Sequence, residues 1–265
     1  MKSLSRNGLR IFGGVLIALL SLQSVAVTSA DAQTTAKKKK KRKKSLSIVK
    51  PGNGGFHPTY DMGPGSVGSY FYSVAVGSSW KVKTVQRYYN SDNKVIAADS
   101  ILSVETVTSN STKSLQGLPL VISQSRSWRA GAETKVDTEQ SLYYVDDSLL
   151  MAVFNNSTTN GDNRFLLVAP LRIGGRWLEK ADDSIRTEIV SMHDTVTTTA
   201  GGFGNVLVTS TKLGQGELAK YFVPNVGLVK TVFRGVGRRA GTSVVITSEL
   251  QEFIRGEDPP KFGKP

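Results

Sequence analysis

Hydrophobic and polar residues alternate in short runs along most of the chain from residue 70 onward, and the runs are rich in Val, Ile, Thr, Tyr and Phe. A period of two is typical of β-strands, because successive side chains point to opposite faces of a sheet. No segment of this region keeps a helical period of about 3.6 residues over a dozen positions. The pattern predicts strands at 80–89, 94–107, 118–128, 135–145, 149–154, 165–169, 185–196, 205–213, 217–223, 228–233 and 243–253.

Turn residues separate these strands, as in Asn90-Ser91-Asp92-Asn93 between the first two and Asn160-Gly161 within a longer connection. About eleven strands at this spacing predict an all-β fold, in which an antiparallel meander forms a curved sheet or a half-open β-barrel. We expect a single β domain over residues 70–255 and a disordered C-terminal tail over 256–265.

Two tryptophans share a local pattern, because each follows a glycine by three residues at the start of an extended run. The pairs are Gly77 with Trp80 and Gly174 with Trp177. A tryptophan at such a place buries its ring beneath a turn, and the glycine lets the backbone pass closely. The repeated Gly-Trp spacing marks either two similar halves of the β domain or two corners of one barrel.

A glycine-rich stretch contains Gly201 and Phe203, and a later turn contains Pro224 and Gly227. The stretch lacks the Gly-Lys-Ser/Thr ending of a P-loop and does not open a helix, as a dinucleotide fingerprint must. We therefore interpret both elements as turns or bulges that bend a sheet.

The N-terminal 32 residues have the features of a secretory signal peptide. Lys2, Arg6 and Arg10 precede an apolar run over 11–20, and Ala30-Asp31-Ala32 offers a cleavage site before Gln33. The protein is therefore expected to be exported by a bacterium, to the periplasm or the extracellular space. An uncleaved anchor is the alternative, because more positive charge follows the apolar run than precedes it.

Eight consecutive basic residues follow in a segment, 33–69, that is otherwise rich in glycine and proline and is predicted to be disordered. The chain has 34 basic and 21 acidic residues; three basic and one acidic lie in the signal segment, so 23 basic and 20 acidic remain outside the run. The folded region is thus nearly neutral, and we predict no specific nucleic-acid partner. The run is either a solvated arm or a contact with an anionic envelope surface. Its members are Lys37, Lys38, Lys39, Lys40, Lys41, Arg42, Lys43 and Lys44.

The residue inventory disfavours common catalytic designs. The chain has no cysteine and two histidines, of which His57 lies in the linker and His193 in a strand next to Asp194. Adjacent strand residues point to opposite faces, so His193 and Asp194 do not form an orienting pair. Asp146-Asp147 and Asp182-Asp183 are paired carboxylates of the kind glycosidases use, but each pair lies at a predicted turn. We predict no catalytic residues, no metal site and no cofactor.

The positions of several of these motifs resemble a broad group of uncharacterised exported bacterial β-proteins. The resemblance runs from Tyr70 to Phe253 and includes the two Gly-Trp pairs and the stretches 199–206 and 221–230. Thr199 and Gly202 stand where the group commonly has proline and threonine. At fold level the group is similar to half-open β-barrels of the lipoprotein-carrier kind. The resemblance implies location and architecture, and it brings no catalytic residues.

Two functions from different classes remain open. The first is a non-catalytic binding or carrier module, whose curved sheet offers an apolar concavity to a lipid, a hydrophobic small molecule or a protein partner. Strand aromatics that would line it are Tyr88, Tyr143, Phe154 and Phe165. The second is a structural envelope protein with a packed interior, tethered to an anionic surface by its basic arm.

Overall fold

A computed structural model describes residues 66–71, 75–111, 120–132, 135–145, 148–153, 164–179, 185–237 and 239–256. The predicted signal peptide, the basic run and most of the predicted linker lie outside these residues, as do Phe154, both aspartate pairs and the predicted tail beyond Gly256. In the described part of the chain, no helix is long and apolar enough to cross a membrane.

Twelve β-strands and one turn of 3₁₀ helix make up the described structure. The 3₁₀ turn is Val67–Tyr70. The strands are β1 (Ser79–Tyr89), β2 (Val95–Ser111), β3 (Leu120–Arg129), β4 (Asp137–Val145), β5 (Leu149–Val153), β6 (Arg164–Val168), β7 (Arg176–Leu178), β8 (Arg186–Thr198), β9 (Gly201–Leu213), β10 (Gly216–Val223), β11 (Gly227–Val236) and β12 (Ser243–Ile254).

All twelve strands form one antiparallel sheet, which confirms the predicted all-β meander. Apart from β6 and β7, strands that are consecutive in sequence are neighbours in the sheet, and β1 pairs with β12, so the first and last strands lie in the middle of the sheet. The two edge strands are β6 and β7. The backbone N–H of Phe165 in β6 donates to the carbonyl of Glu179, directly after β7, at 2.8 Å. This contact nearly closes the sheet into a barrel, and we call the β6–β7 junction the seam.

Bulges bend the long strands so that the sheet can curve. Registers shift within the β1–β12 pair at Lys81/Val82 and within the β8–β9 pair at Asp194/Val196. A bulge adds an unpaired residue to one strand and increases its local twist, which closure of a barrel requires. The glycine-rich stretch forms the start of β9, beside the bulged part of β8. Strand β9 begins at Gly201, four residues earlier than predicted, and Asn205 adopts a φ of 52°.

The glycine that precedes each tryptophan has a positive φ, 87° at Gly77 and 78° at Gly174. Trp80 is buried in β1, and Trp177 is half-buried in β7, a three-residue strand that the Gly-Trp pattern indicated but the alternation of residues did not. Since one sheet contains both, the two motifs mark two corners of a single barrel. Asn225 and Gly227 form the β10–β11 turn after Pro224, with φ values of 62° and 93°.

The N-terminal end of the described chain is inserted into one end of the barrel. Val67, Tyr70 and Phe71 are all buried, and they belong to the main apolar cluster together with side chains from the inner face of the sheet. The backbone N–H of Asn225 donates to the carbonyl of Ser69 at 2.6 Å and fixes the segment to the β10–β11 turn. We call residues 66–71 the plug.

Candidate ligand-binding interior

The inner face of the barrel is layered along each strand, and β10 shows the order most clearly. Leu218, Lys220 and Phe222 are buried and alternate with half-buried Ala219 and Tyr221. Phe222 belongs to the main apolar cluster, whereas Leu218 belongs to a second, smaller one. Lys220 lies between them. The charged residue is therefore enclosed between two apolar layers.

Neighbouring strands repeat this order. On β12, Ile246 belongs to the small cluster, Leu250 to the main cluster, and buried Ser248 lies between them. The hydroxyl of Ser248 lies 2.9 Å from that of Thr84 on β1. We call the intermediate layer the polar belt. Its buried members are Thr84, Glu179, Thr187, Thr209, Thr211, Lys220, Thr231 and Ser248.

The centre of the polar belt is a buried ion pair. Nζ of Lys220 lies 2.6 Å from Oε1 of Glu179, and both side chains are at most 2% exposed. The hydroxyls of Thr187 and Thr211 donate to the same oxygen at 2.9 Å and 3.1 Å. Burial opposes ionisation of Glu179, but the charge of Lys220 and these hydrogen bonds outweigh it, so the pKa of Glu179 lies below its usual value.

Two hydroxyls that flank Lys220 have no hydrogen-bond partner in the part of the chain that the structure describes. Thr209 and Thr231 are the direct cross-strand neighbours of Lys220 on β9 and β11. Both residues are at most 1% exposed, and neither Oγ1 has a hydrogen-bond partner among the described residues. The second carboxylate oxygen of Glu179, Oε2, also lacks a hydrogen bond there and lies 3.8 Å from Arg164 Nη1. Buried polar atoms are ordinarily paired, so these three atoms are exceptions within the polar belt.

A second carboxylate, Glu105 of β2, lies on the inner face of the other half of the sheet. The hydroxyls of Ser123 and Tyr143 donate to its Oε1, the latter at 2.9 Å, and the indole of Trp80 also hydrogen-bonds to the carboxyl. Burial raises the pKa of Glu105, these hydrogen bonds oppose the rise, and the charge of Glu139 adds to it. The environment therefore favours the neutral acid.

Small hydroxyl side chains cover the inner face around Glu105. Five serines on three adjacent strands are buried there: Ser103, Ser123, Ser125, Ser127 and Ser141. A serine fills far less of a barrel interior than the Leu or Phe found on β10. This part of the inner face therefore contributes little volume of its own to the core.

The seam lies directly over the polar belt. Besides the backbone bond from Phe165, the indole N–H of Trp177 donates to the carbonyl of Phe165 at 3.1 Å. Arg164 is the first residue of β6, and Glu179 directly follows β7. Their side chains form the ion pair of 3.8 Å. If β6 and β7 moved apart at the seam, Arg164 would therefore move away from Glu179, which is one partner of the buried ion pair with Lys220.

Three of the four aromatic residues predicted to line a concavity lie within the described residues, and these three occupy different parts of the barrel. Tyr143 is buried in the main cluster, Tyr88 is half-buried beside the small cluster, and Phe165 is half-buried on the edge strand β6. His193 and Asp194 are both exposed on β8. Within the described residues, no group of three or more His, Asp or Glu side chains could hold a metal ion.

Sequence reasoning did not identify the polar belt or Glu105 as candidate sites. A signal was present for Lys220, because it occupies the same alternating face as Leu218 and Phe222 in the run Leu-Ala-Lys-Tyr-Phe. A lysine at an apolar position of a strand predicts a buried, paired ammonium. Glu179 follows a strand of three residues, which is too short to show a period. The sequence therefore did not indicate that Glu179 forms an ion pair with Lys220.

No protein-family model matches the chain, and none of the curated proteins matches it. Three of the solved structures to which it is similar are the following. A protein described as exported, with a YmcC-like fold, from Bacteroides fragilis NCTC 9343 has 15% identity and a TM-score of 0.38, over 66% of this chain and 95% of that one. A protein described as a lipoprotein, from Parabacteroides distasonis ATCC 8503, has 15% identity and a TM-score of 0.41, over 70% and 98%. An S-type phycobiliprotein lyase from Guillardia theta has 8% identity and a TM-score of 0.34, over 74% and 96%.

All three TM-scores are below 0.5, so the all-β barrel-like architecture is established by the strand order of this chain itself.

Proposed function

We propose that this protein is a non-catalytic binding or carrier module for a hydrophobic small molecule or lipid. One observation carries the proposal: a sheet of twelve strands nearly closes around an inner face that is lined with serines on three adjacent strands. Barrels of about eight strands are just filled by their own side chains, and the interior widens with strand number. A wider barrel with small inward side chains suits a guest molecule.

The apolar layers supply the binding energy in this proposal. Leu218, Val244 and Ile246 form the buried part of the small cluster, and Tyr88, Leu213 and Phe233 surround them as half-buried side chains. The plug covers the opposite end of the barrel. A hydrophobic ligand that contacts the small cluster removes its own apolar surface from water, at about 25 cal/mol per Å².

The proposal places the protein in a bacterial cell envelope after export, and assigns the basic run 37–44 to contact with an anionic surface there. It rests on the signal-like segment at 1–32 and on the near neutrality of the remaining chain. A structural envelope protein with a filled interior is the competing function. The two differ in one property, which is whether the interior accepts a molecule.

A fluorescent apolar probe, N-phenyl-1-naphthylamine, tests the proposal directly. We expect saturable fluorescence enhancement with the purified protein, and its loss in the variant Ser125→Phe, which fills the inner face of β3. Gln124→Phe is the matched control, because residue 124 is exposed on the outer face of the same strand. Circular dichroism of each variant establishes that the fold is retained, and Ser127→Phe repeats the test if Ser125→Phe does not fold. Absence of saturable binding to the unmodified protein would overturn the proposal.

A further inference from the structure

We propose that the folded domain docks on an anionic lipid membrane through one end of its barrel. The contact surface lies across the ends of four adjacent strands, β2, β1, β12 and β11. Strand β11 starts at the turn that holds the plug and ends at Val236, so this is the end of the barrel away from the plug. The inference does not depend on whether the interior binds a molecule. We call the surface the rim patch, and it consists of Arg87, Lys94, Val95, Ile96, Arg234 and Val236.

The aliphatic side chains of the rim patch lie along the ends of the strands. Val95 of β2 pairs with Tyr89 of β1, and both Tyr89 and Val236 pair with Ser243 of β12. Neighbouring strands lie about 4.8 Å apart, so this row is about 14 Å long. Val95, Ile96 and Val236 are 53%, 51% and 56% exposed, although valine and isoleucine are ordinarily buried. Exposed apolar side chains that cluster in this way mark an interaction surface.

Basic side chains flank the aliphatic row on the same outer face. Arg87 and Arg234 both pair with Val245, two residues along β12 from the row, and alternate residues of a strand share a face. Exposed Lys94 directly precedes the row. The rim patch therefore combines apolar surface with positive charge. The two hairpin segments that contain it, 87–98 and 234–245, carry the basic residues Arg87, Lys94, Arg234, Arg238 and Arg239 and one acidic residue, Asp92.

The basic groups of the rim patch are available to a partner. Within the described part of the chain, Arg87, Lys94 and Arg234 are exposed and form no ion pair. Glu217 of β10 lies opposite Arg234, but its carboxylate accepts from the hydroxyl of Ser210 at 2.5 Å. An anionic surface can therefore reach these cations without displacing an internal partner.

A membrane matches both properties of the rim patch better than other partners do. Two copies of the patch in contact would bring like charges together, and phosphates of a nucleic acid would leave the aliphatic row in water. In an anionic bilayer, the aliphatic side chains enter the boundary of the acyl chains, while the long basic side chains keep their charges among the lipid phosphates. The proposed contact of the basic run 37–44 brings the chain to the membrane, and the rim patch determines which end of the barrel faces it.

Site-specific fluorescence tests this orientation, because the chain has no cysteine and a single introduced one takes the label. The environment-sensitive fluorophore NBD is attached through Ser91→Cys, in the exposed turn beside the rim patch, in the chain from Gln33 onward. Thr199→Cys, in the exposed β8–β9 turn at the plug end, is the matched control. On phosphatidylglycerol vesicles we expect brighter, blue-shifted emission from the label at residue 91 and no change at residue 199.

Two double variants separate the apolar and the charged contributions. Val95→Ser with Val236→Ser removes aliphatic surface, and Arg87→Gln with Arg234→Gln removes two charges. We expect each pair to lower the affinity of the chain labelled at residue 91 for these vesicles about ten-fold. All four positions are exposed, so the fold is expected to persist, and each single variant is a second route to the same measurement.

Val190→Ser and Arg172→Gln, at exposed positions outside the rim patch, are the matched controls and should leave the affinity unchanged. No change at residue 91, equal changes at residues 91 and 199, or unchanged affinity in either double variant would overturn the docking surface. An equal change on phosphatidylcholine vesicles would remove the role of anionic lipid, and a change with DNA but not with vesicles would assign the patch to nucleic acid. Binding of N-phenyl-1-naphthylamine is measured without vesicles, so failure of the rim patch leaves the carrier function standing.

Discussion

The aromatic ring of Phe71 in the plug packs against the ring of Tyr143 in β4, with 5.1 Å between the ring centroids and an angle of 51° between the planes. The hydroxyl of the same tyrosine donates to Glu105 on β2 at 2.9 Å. A single side chain thus connects the segment that covers the barrel end with the buried carboxyl of the inner face. Packing of the plug and the polar interior are physically coupled.

The plug is expected to contribute strongly to stability through Phe71. Phe71 is 3% exposed within the main apolar cluster, so Phe71→Ala removes a buried ring and leaves a cavity. We expect the free energy of unfolding to fall by about 3–5 kcal/mol in urea titrations. Val76→Ala, at a position that is 45% exposed, is the control and should cause little change. A small effect at Phe71 would show that the plug is only loosely docked.

The sequence pattern was sufficient for most of the strands. The hairpin at residues 90–93 was predicted, and in the structure the backbone N–H of Asn90 donates to the carbonyl of Lys94 while Asn93 has a φ of 59°. Strand β7 was not among the strands predicted by alternation, because three residues do not show a period, and only the Gly174–Trp177 motif indicated an extended run there. The pairing of β1 with β12 joins residues about 160 positions apart. Such pairing depends on how the whole sheet curves and not on any local signal.

The candidate site was harder to predict than the strands. Alternation of residues along a strand defines two faces of that strand, but it does not show which face points into the barrel. On β2, the face with Leu102 and Val104 is half-buried, whereas the face with Ser103, Glu105 and Val107 is buried. The more apolar face would ordinarily be placed inside. The opposite orientation is consistent with the polar groups that surround Glu105, namely the side chains of Ser123 and Tyr143 on neighbouring strands. A partnered polar interior cannot be recognised from one strand alone.

The buried ion pair should show strong non-additivity. Lys220→Met leaves the carboxylate of Glu179 without its nearest cation, and we expect a loss of about 3–5 kcal/mol in the free energy of unfolding. Adding Glu179→Gln removes the uncompensated charge, so the double variant should be more stable than Lys220→Met alone. Arg176→Met, which breaks the exposed pair with Glu188, is the control and should cause no measurable change. Additive losses would contradict the coupling.

The pH dependence of stability should report Glu105. Burial raises the pKa of this carboxyl above 4.5, its ordinary value, so the folded state keeps the proton to higher pH than the unfolded state. The free energy of unfolding therefore falls as pH rises above about 4.5, until the raised pKa of the folded state is passed. Glu105→Gln cannot ionise, and we expect it to gain stability over the unmodified protein within this window and none below it.

Urea titrations between pH 4 and pH 8 measure this difference. Glu139 also has a pKa raised by burial and is present in both proteins, so the gap between the two curves reports Glu105 together with its electrostatic coupling to Glu139. Glu252→Gln, on an exposed position of β12, is the matched control. A stability gap that is the same at every pH would show that the substitution acts through packing and not through ionisation.

Binding to an anionic surface should depend on the basic run 37–44. We expect the chain from Gln33 onward to bind vesicles that contain anionic lipid, because each basic residue near such a surface contributes about 1 kcal/mol at moderate salt. Replacing the eight basic residues with glycine and serine keeps the length and removes the charge, and we expect binding to be lost. Added salt should weaken binding of the unmodified chain steeply, since it screens these contacts. Co-sedimentation measures both effects; equal binding of the two chains would contradict the tether, and salt-insensitive binding would place the contact on the apolar part of the protein.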